Sequence, residues 1–270
     1  MMTHSISLHN VTFSHTQTAT IFNKLNISFV PGTCAIVGQN GAGKTTLLKL
    51  LRGLLTPQAG CVCLNGQDIA DVSVADCAGD IGFVFQNPDD QIFESTVLRE
   101  VMFGLLQTGM DEKDAKTAAQ ESLDLVGLLN KSQVNPYDLS PSERKMVAIA
   151  SIVAMDTQVV LLDEPTMAQD DASKERLEAI IAHLVSQQKI VIAVLHDMDF
   201  VARAFDRVIV LVHGSVAFDG AARELFLHND LLKQAKLDKP DVVKLGEAMG
   251  FDAATLSVDE FVRTYRHSTC

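Results

Sequence analysis

Nine consecutive residues, Gly38-Gln39-Asn40-Gly41-Ala42-Gly43-Lys44-Thr45-Thr46, have the types and spacing to hold a triphosphate, for they fit the pattern G-x-x-x-x-G-K-[ST]. Gly38, Gly41 and Gly43 let the backbone curl with its N–H groups inward. A helix starting directly after them adds partial positive charge where phosphate oxygens sit. Lys44 is spaced to reach the β- and γ-phosphates, and the Thr45 hydroxyl suits Mg²⁺. A glycine-rich turn alone would carry none of this. Here the apolar run Cys34-Ala35-Ile36-Val37 precedes it and the helical pattern Thr46-Leu47-Leu48-Lys49-Leu50-Leu51 follows, which is the strand, turn and helix that the motif needs.

Two carboxylates match that loop. Asp163-Glu164 closes the apolar run Val159 to Leu162, at the C-terminal end of a strand, where ligands of open α/β sheets bind. Asp163 suits a Mg²⁺ ligand acting through water, and Glu164 suits the base that orients and activates an attacking water. Alone, the pair would read as a solvated acidic turn before Pro165. Gln86 likewise ends the short strand Ile81 to Phe85, and His196 follows the apolar run Ile190 to Leu195. Packing alone does not readily bring four such strand ends to one site.

The elements that must position these residues alternate. Ser5 to Val30 reads as strands, with His15 in the loop between two apolar runs and Pro31-Gly32 as the turn into the glycine loop's strand. Cys61 to Leu64 with Asn65-Gly66 reads as a hairpin. Between Thr96 and Leu129 the period changes: Val97, Val101, Leu105, Ala115, Ala119 and Leu123 recur at helical spacing, broken at Thr108-Gly109. Another helix starts near Ser140, a further one spans Ala172 to Gln187, and Arg207 to Phe218 forms a late hairpin. After Ala221 the chain looks helical, with a break at Lys239-Pro240. The alternation of strand and helix calls for a parallel sheet covered on both faces.

Composition excludes several classes. With 47% hydrophobic and 21% charged residues, the 270-residue chain is globular rather than disordered. Apolar stretches such as Ala148 to Met155 fall short of the roughly 20 residues of a spanning helix. Met1-Met2-Thr3-His4-Ser5 shows no secretory signal. Thirty-four acidic against 22 basic residues give a net charge of −12, which argues against a nucleic-acid partner. Five cysteines, Cys34, Cys61, Cys63, Cys77 and Cys270, lack metal-ligand grouping and read as free thiols in a reducing cytosol.

Taken together, these motifs resemble the ATP-binding subunit of an ABC transporter, and more narrowly the ATPase of the energy-coupling factor (ECF) type, from about Ser5 to Val262. The narrower likeness rests on Gln86-Asn87-Pro88-Asp89-Asp90-Gln91-Ile92-Phe93, on Thr96-Val97 and Phe103-Gly104, and on Val242-Val243-Lys244-Leu245. The resemblance implies a P-loop NTPase (ABC ATPase) fold of the α/β class. It has a mixed sheet core, an N-terminal antiparallel β subdomain, a helical insertion over about 90–155 and a small helical C-terminal appendage. The nucleotide-binding domain would cover 1–220, and the extension 221–270 would contact a second subunit.

By the same resemblance, Gln86 senses Mg²⁺ and couples to a membrane subunit, Asp163 and Glu164 are the metal and base carboxylates, and Asp170 belongs to the loop facing the second subunit. His196 contacts the γ-phosphate, and His15, near Phe13, takes the position of the aromatic that stacks on adenine. Implied cofactors are ATP and Mg²⁺. Implied partners are a second ATPase subunit, identical or not, with two ATPs between the pair; a transmembrane coupling protein; and a separate membrane protein that captures a vitamin or transition-metal ion. The expected location is the cytoplasmic face of the membrane.

One family element departs. The signature loop, usually Leu-Ser-Gly-Gly-Gln, falls at Leu139-Ser140-Pro141-Ser142-Glu143. Ser-Pro-Ser-Glu is a helix start, with Ser140 as N-cap, Pro141 at the first helical position and Glu143 closing a capping box. This either weakens the loop's contribution to a partner's ATP or leaves enough helix N–H groups to serve. Met167-Ala168-Gln169 before Asp170 is also unusual. Two alternatives stand beside the importer: a poorly hydrolysing structural or regulatory partner in a heterodimer, and a soluble ABC ATPase outside transport, which the net acidity disfavours when nucleic acid is its target.

Overall fold

Alternating burial opens the chain. The computed structural model describes residues 4–16, 19–251 and 254–268. Strand β1 (Ile6–Thr16) buries Ile6, Leu8, Val11 and Phe13 and pairs antiparallel with β2 (Ala19–Phe29), whose Phe22, Leu25, Ile27 and Phe29 are also buried. His15 lies within β1 rather than in a loop, because the ladder continues through Ser14↔Thr20 and Thr16↔Ala19. Backbone pairing does not need apolar side chains, so the polar run Ser14-His15-Thr16 hid the strand's true end. After β3 (Gly32–Val37) and helix α1 (Lys44–Leu51), the hairpin of β4 (Ala59–Leu64) and β5 (Gln67–Asp68) joins this sheet in the order β2-β1-β4-β5.

A seven-residue helix, α2 (Val74–Asp80), leads into β6 (Ile81–Val84). The helical stretch then comprises α3 (Val97–Gln107), α4 (Glu112–Leu125) and α5 (Pro141–Ala154), followed by β7 (Val159–Asp163), α6 (Asp171–Ser186), β8 (Ile190–Val194), α7 (Met198–Ala204), β9 (Arg207–Val212) and β10 (Ser215–Ala221). Every residue of β6, β7 and β8 is buried, as continuous apolar strands covered on both faces must be. They form a six-stranded sheet in the order β10-β9-β3-β8-β7-β6, parallel except that β10 runs antiparallel to β9. The sheet is therefore mixed. Along β3, Cys34 and Ile36 face one hydrophobic cluster while Ala35 and Val37 face the other, so a single strand nails two core layers together.

Chain order α8 (Ala222–Leu225), α9 (Asn229–Ala235), α10 (Asp241–Ala248) and α11 (Val258–Ser268) completes the fold, with Lys239-Pro240 between α9 and α10. Arg223 of α8 pairs with Glu260 of α11 at 2.8 Å, which ties the last helix back to the first of this group. Among the described residues no helix is long and apolar enough to cross a membrane. Cys34, Cys61, Cys63 and Cys77 are free, and the Cys61 and Cys63 sulfurs lie 3.7 Å apart on one face of β4. Cys270 and Met1 to Thr3 lie outside the described residues.

Leu161 sits fully buried in β7, between β6 and β8. Leu161→Ala leaves a hole that a parallel sheet cannot close, so urea unfolding is expected to show a loss of about 2–5 kcal/mol.

Candidate functional site

The parallel register sets the C-terminal ends of β3, β6, β7 and β8 along one edge: Ile36 and Asp163 both sit opposite Val194, and Val84 opposite Leu162. From that edge the glycine loop rises. Gly38 adopts φ +143°, and a Cβ there would stand 2.2 Å from the Leu211 carbonyl oxygen, so no other residue fits. Lys44 starts α1 and turns its ammonium back onto the loop, donating to the carbonyls of Gly38 at 2.7 Å and Gln39 at 3.1 Å. Burial lowers its pKa, with the charges of Glu164 and Asp163 opposing that. The backbone carbonyls are weak substitutes for an anion, and a phosphate oxygen would favour the charged lysine.

Thr45 Oγ1 donates to Asp163 Oδ1 at 3.3 Å. Asp163 is 2% exposed, and burial raises its pKa; the Thr45 hydrogen bond opposes this and the neighbouring Glu164 charge reinforces it. A hydroxyl and a carboxylate held together in a buried setting are the hard oxygen donors that suit Mg²⁺, and the cation would favour the ionised acid. Asn40, Gly41, Gly43, Thr46, His15 and Glu164 help line a cavity of about 330 Å³ over the loop. His15 Nε2 is 3.3 Å from Thr46 Oγ1, and its ring meets Phe13 edge-on. Ala42 is buried beneath, its N–H bonded to the Gln39 carbonyl at 3.2 Å.

Glu164 takes the left-handed conformation at φ 48°. For a non-glycine residue this costs about 1–3 kcal/mol, and such strain gathers at functional sites. The turn aims its carboxylate between two other strand ends: Gln86 Nε2 donates to Oε2 at 3.1 Å, and His196 Nε2 to Oε1 at 3.1 Å. Asp197, next to His196, caps α7 through the Phe200 N–H and receives Lys174 at 2.6 Å, which steadies the histidine's loop.

Sequence reasoning missed Lys145. It lies on α5, 2% exposed, and donates to the carbonyls of Phe85, at 2.8 Å, and Gln86. The signal available was a lysine four residues before Ile149 and seven before Ile152, on a stripe that should be apolar.

Ser140 stands away from this group, in a separate hollow of about 350 Å³ with Ser142, Glu143, Asp170 and Ser173. The capping box forms: the Glu143 carboxylate accepts from both the N–H and the hydroxyl of Ser140 at 3.1 Å, and the Glu143 N–H donates to Ser140 Oγ at 3.3 Å. Lys131 pairs with the other carboxylate oxygen and holds the Glu143 acid below its ordinary range, with burial working the other way. Ser142 Oγ donates to Gln169 Oε1 at 2.8 Å and the Gln169 amide returns to the Ser142 carbonyl at 3.4 Å.

A family model described as ABC transporter matches residues 22–167. The chain is 37% identical over 258 residues to a putative ABC transporter ATP-binding protein of Pyrococcus furiosus, covering 96% of this chain and 98% of that one. It is 39% identical to an energy-coupling factor transporter ATP-binding protein of Methanospirillum hungatei, over 86% of this chain and 85% of the other. Among solved structures, cbiO1 of Clostridium perfringens, part of the ABC transporter complex cbiONQ, aligns with TM-score 0.76 at 26% identity, covering 90% of this chain and 98% of that one. An ATP-binding cassette solved as a dimer with ADP and phosphate aligns with TM-score 0.73 at 26% identity, covering 81% and 99%.

Lys44→Ala removes the charged donor at the loop's mouth. Calorimetric titration should show ATP binding weakened by about 1.5–3 kcal/mol, the usual worth of a charge-assisted hydrogen bond; wild-type affinity would remove Lys44 from the site.

Proposed function

The chain belongs to the ABC transporter family, as an ATP-binding subunit and ATPase, and we propose that it powers an ECF-type importer of a vitamin or transition-metal ion. The observation that carries the residue roles is the Glu164 carboxylate, held between Gln86 and His196 beside the Thr45–Asp163 pair and Lys44. Phosphoryl transfer is accelerated mainly by positioning and by neutralising charge, which this cluster is built to do.

In this reading Lys44 leaves the carbonyls of Gly38 and Gln39 for the β- and γ-phosphates, while the backbone N–H groups of residues 38–46 cradle them. Thr45 and Asp163 hold Mg²⁺, which when bound neutralises charge on the phosphate oxygens. Glu164 orients a water and takes its proton as oxygen attacks the γ-phosphorus and the bond to ADP breaks. His196 donates to the γ-phosphate, Gln86 reports the metal's presence, and His15 packs on the adenine. ABC ATPases work as dimers, and the second subunit here is proposed to meet the tail 221–270, where Leu245, Met249, Val258, Val262 and Tyr265 lie exposed. A transmembrane coupling protein and a separate capture protein complete the assembly on the cytoplasmic face. The energy-coupling factor name of one relative and the cbiONQ complex of another support this assignment.

A second reading has its own support. The Glu143 carboxylate occupies the Ser140 hydroxyl and N–H, groups that the family offers to a partner's γ-phosphate, and adds negative charge there. The chain would then serve in a heterodimer, keeping its own catalytic residues while lending its partner a weak signature loop.

Glu164→Gln is expected to keep ATP binding and to lower turnover by about 10²–10⁴, the worth of a general base; undiminished hydrolysis would overturn the role. For the second reading, Pro141→Gly/Ser142→Gly/Glu143→Gln should raise the ATPase rate of the isolated chain by about 10²-fold, the scale of one restored transition-state donor. No gain would leave the loop competent as it stands.

A further inference from the structure

A buried ammonium is expensive unless its donors are satisfied, so one enclosed in a helix face that is otherwise apolar asks for a reason. Lys145 is enclosed, and it forms no ion pair among the described residues. Its acceptors are the two carbonyls at which β6 gives way to the loop carrying Gln86. That loop is pinned elsewhere as well. The Phe85 N–H donates to Gln91 Oε1 at 3.2 Å, so the segment's far end closes on its beginning. Arg144, the neighbour of Lys145 on α5, lies 3.0 Å from Asp89. Burial lowers the pKa of Lys145 to about 8, while the charges of Asp163 and Glu164 oppose that.

We propose that Lys145 is a positioning residue for hydrolysis: it fixes the backbone of residues 85–86 so that the Gln86 amide meets Glu164, and it binds that loop to α5. The same helix meets the Asp170 loop one turn earlier, through Ser142 and Gln169. Displacement of α5 therefore carries the Gln86 loop with it, and the lysine is the joint between them. Its replacement should loosen the loop without emptying the nucleotide cradle, which rests on β3 and α1.

The inference rests on the assignment of Gln86 to the metal site, and two measurements keep the two separable. Hydrogen–deuterium exchange of the nucleotide-free full chain needs no metal. In Lys145→Met the amides of residues 85–91 should exchange about tenfold faster, with residues 36–46 unchanged, as local opening predicts. Mn²⁺ affinity in the presence of the non-hydrolysable analogue AMP-PNP, read by electron paramagnetic resonance, should fall about 10–100-fold, the scale of lost supporting contacts around a metal. Lys145→Arg, which keeps charge and donors, should fall between the two. A folded Lys145→Met protein with wild-type exchange over 85–91 and wild-type Mn²⁺ affinity overturns the proposal even when its melting temperature has dropped. Where Lys145→Met does not fold, Lys145→Arg decides by the same two readings. A wild-type chain that binds no AMP-PNP would instead refute the proposed function, and the exchange result would still judge Lys145.

Discussion

The constraint on which the rest depends is the shared direction of β3, β6, β7 and β8. Parallel strands end on one side, so the residue following each strand is delivered to the same edge, however far apart the segments lie in sequence. The glycine loop, Gln86, Glu164 and His196 owe their meeting to that geometry, and the register fixes their heights to within one residue. Were any of these strands reversed, its terminal residue would stand at the opposite edge of the sheet. The antiparallel strand β10 carries no site residue, in keeping with this.

Placing so many ionisable groups at one edge creates an electrostatic problem. Lys44 is pushed toward neutrality by burial, and so is Asp163. Each sits closer to its uncharged form than it would in water. A triphosphate would supply the anion the lysine lacks, and a divalent cation the positive charge the acid lacks. Glu164 differs. Its carboxylate has two donors already, from Gln86 and His196, and is held by a backbone turn that few residues adopt willingly. Lys44 and Asp163 thus await a counter-charge, whereas the Glu164 carboxylate is already fixed in place.

The parts legible in sequence were those whose chemistry is local. Gly38 to Thr46 announce themselves because a phosphate cradle is made from adjacent backbone, and Asp163-Glu164 because a strand ends beside them. The capping box at Ser140 was readable for the same reason, since its partners are three residues apart. What could not be read depends on distant chain. His15 extends a strand because Ala19 and Thr20 complete the ladder, not because of its own type. Lys145 matters through carbonyls 60 and 59 residues away, and an isolated lysine in a helix gives no hint of them. The left-handed Glu164 is anchored through its N–H to the Val194 carbonyl of neighbouring β8 at 3.1 Å, a partner 30 residues away in sequence.

Distance also changes how the departures from the family pattern should be understood. Ser142 replaces a glycine of the signature loop, and Gln169 is unusual before Asp170; taken separately, each looks like drift. In the folded chain they are hydrogen-bonded to each other, with Ser142 also 3.2 Å from Ser173. A glycine at 142 would have no side chain to offer Gln169, and an apolar residue at 169 would leave the serine hydroxyl with only Ser173. The two changes therefore form one local solution, in which the start of α5 is tied within its own subunit to the loop before α6. With Glu143 held by Lys131 and Ser140 held by Glu143, the polar groups of the first turn of α5 are taken up by partners in the same chain. The start of α5 is therefore tied to the loop before α6, and one turn later Lys145 ties the same helix to the Phe85 and Gln86 carbonyls.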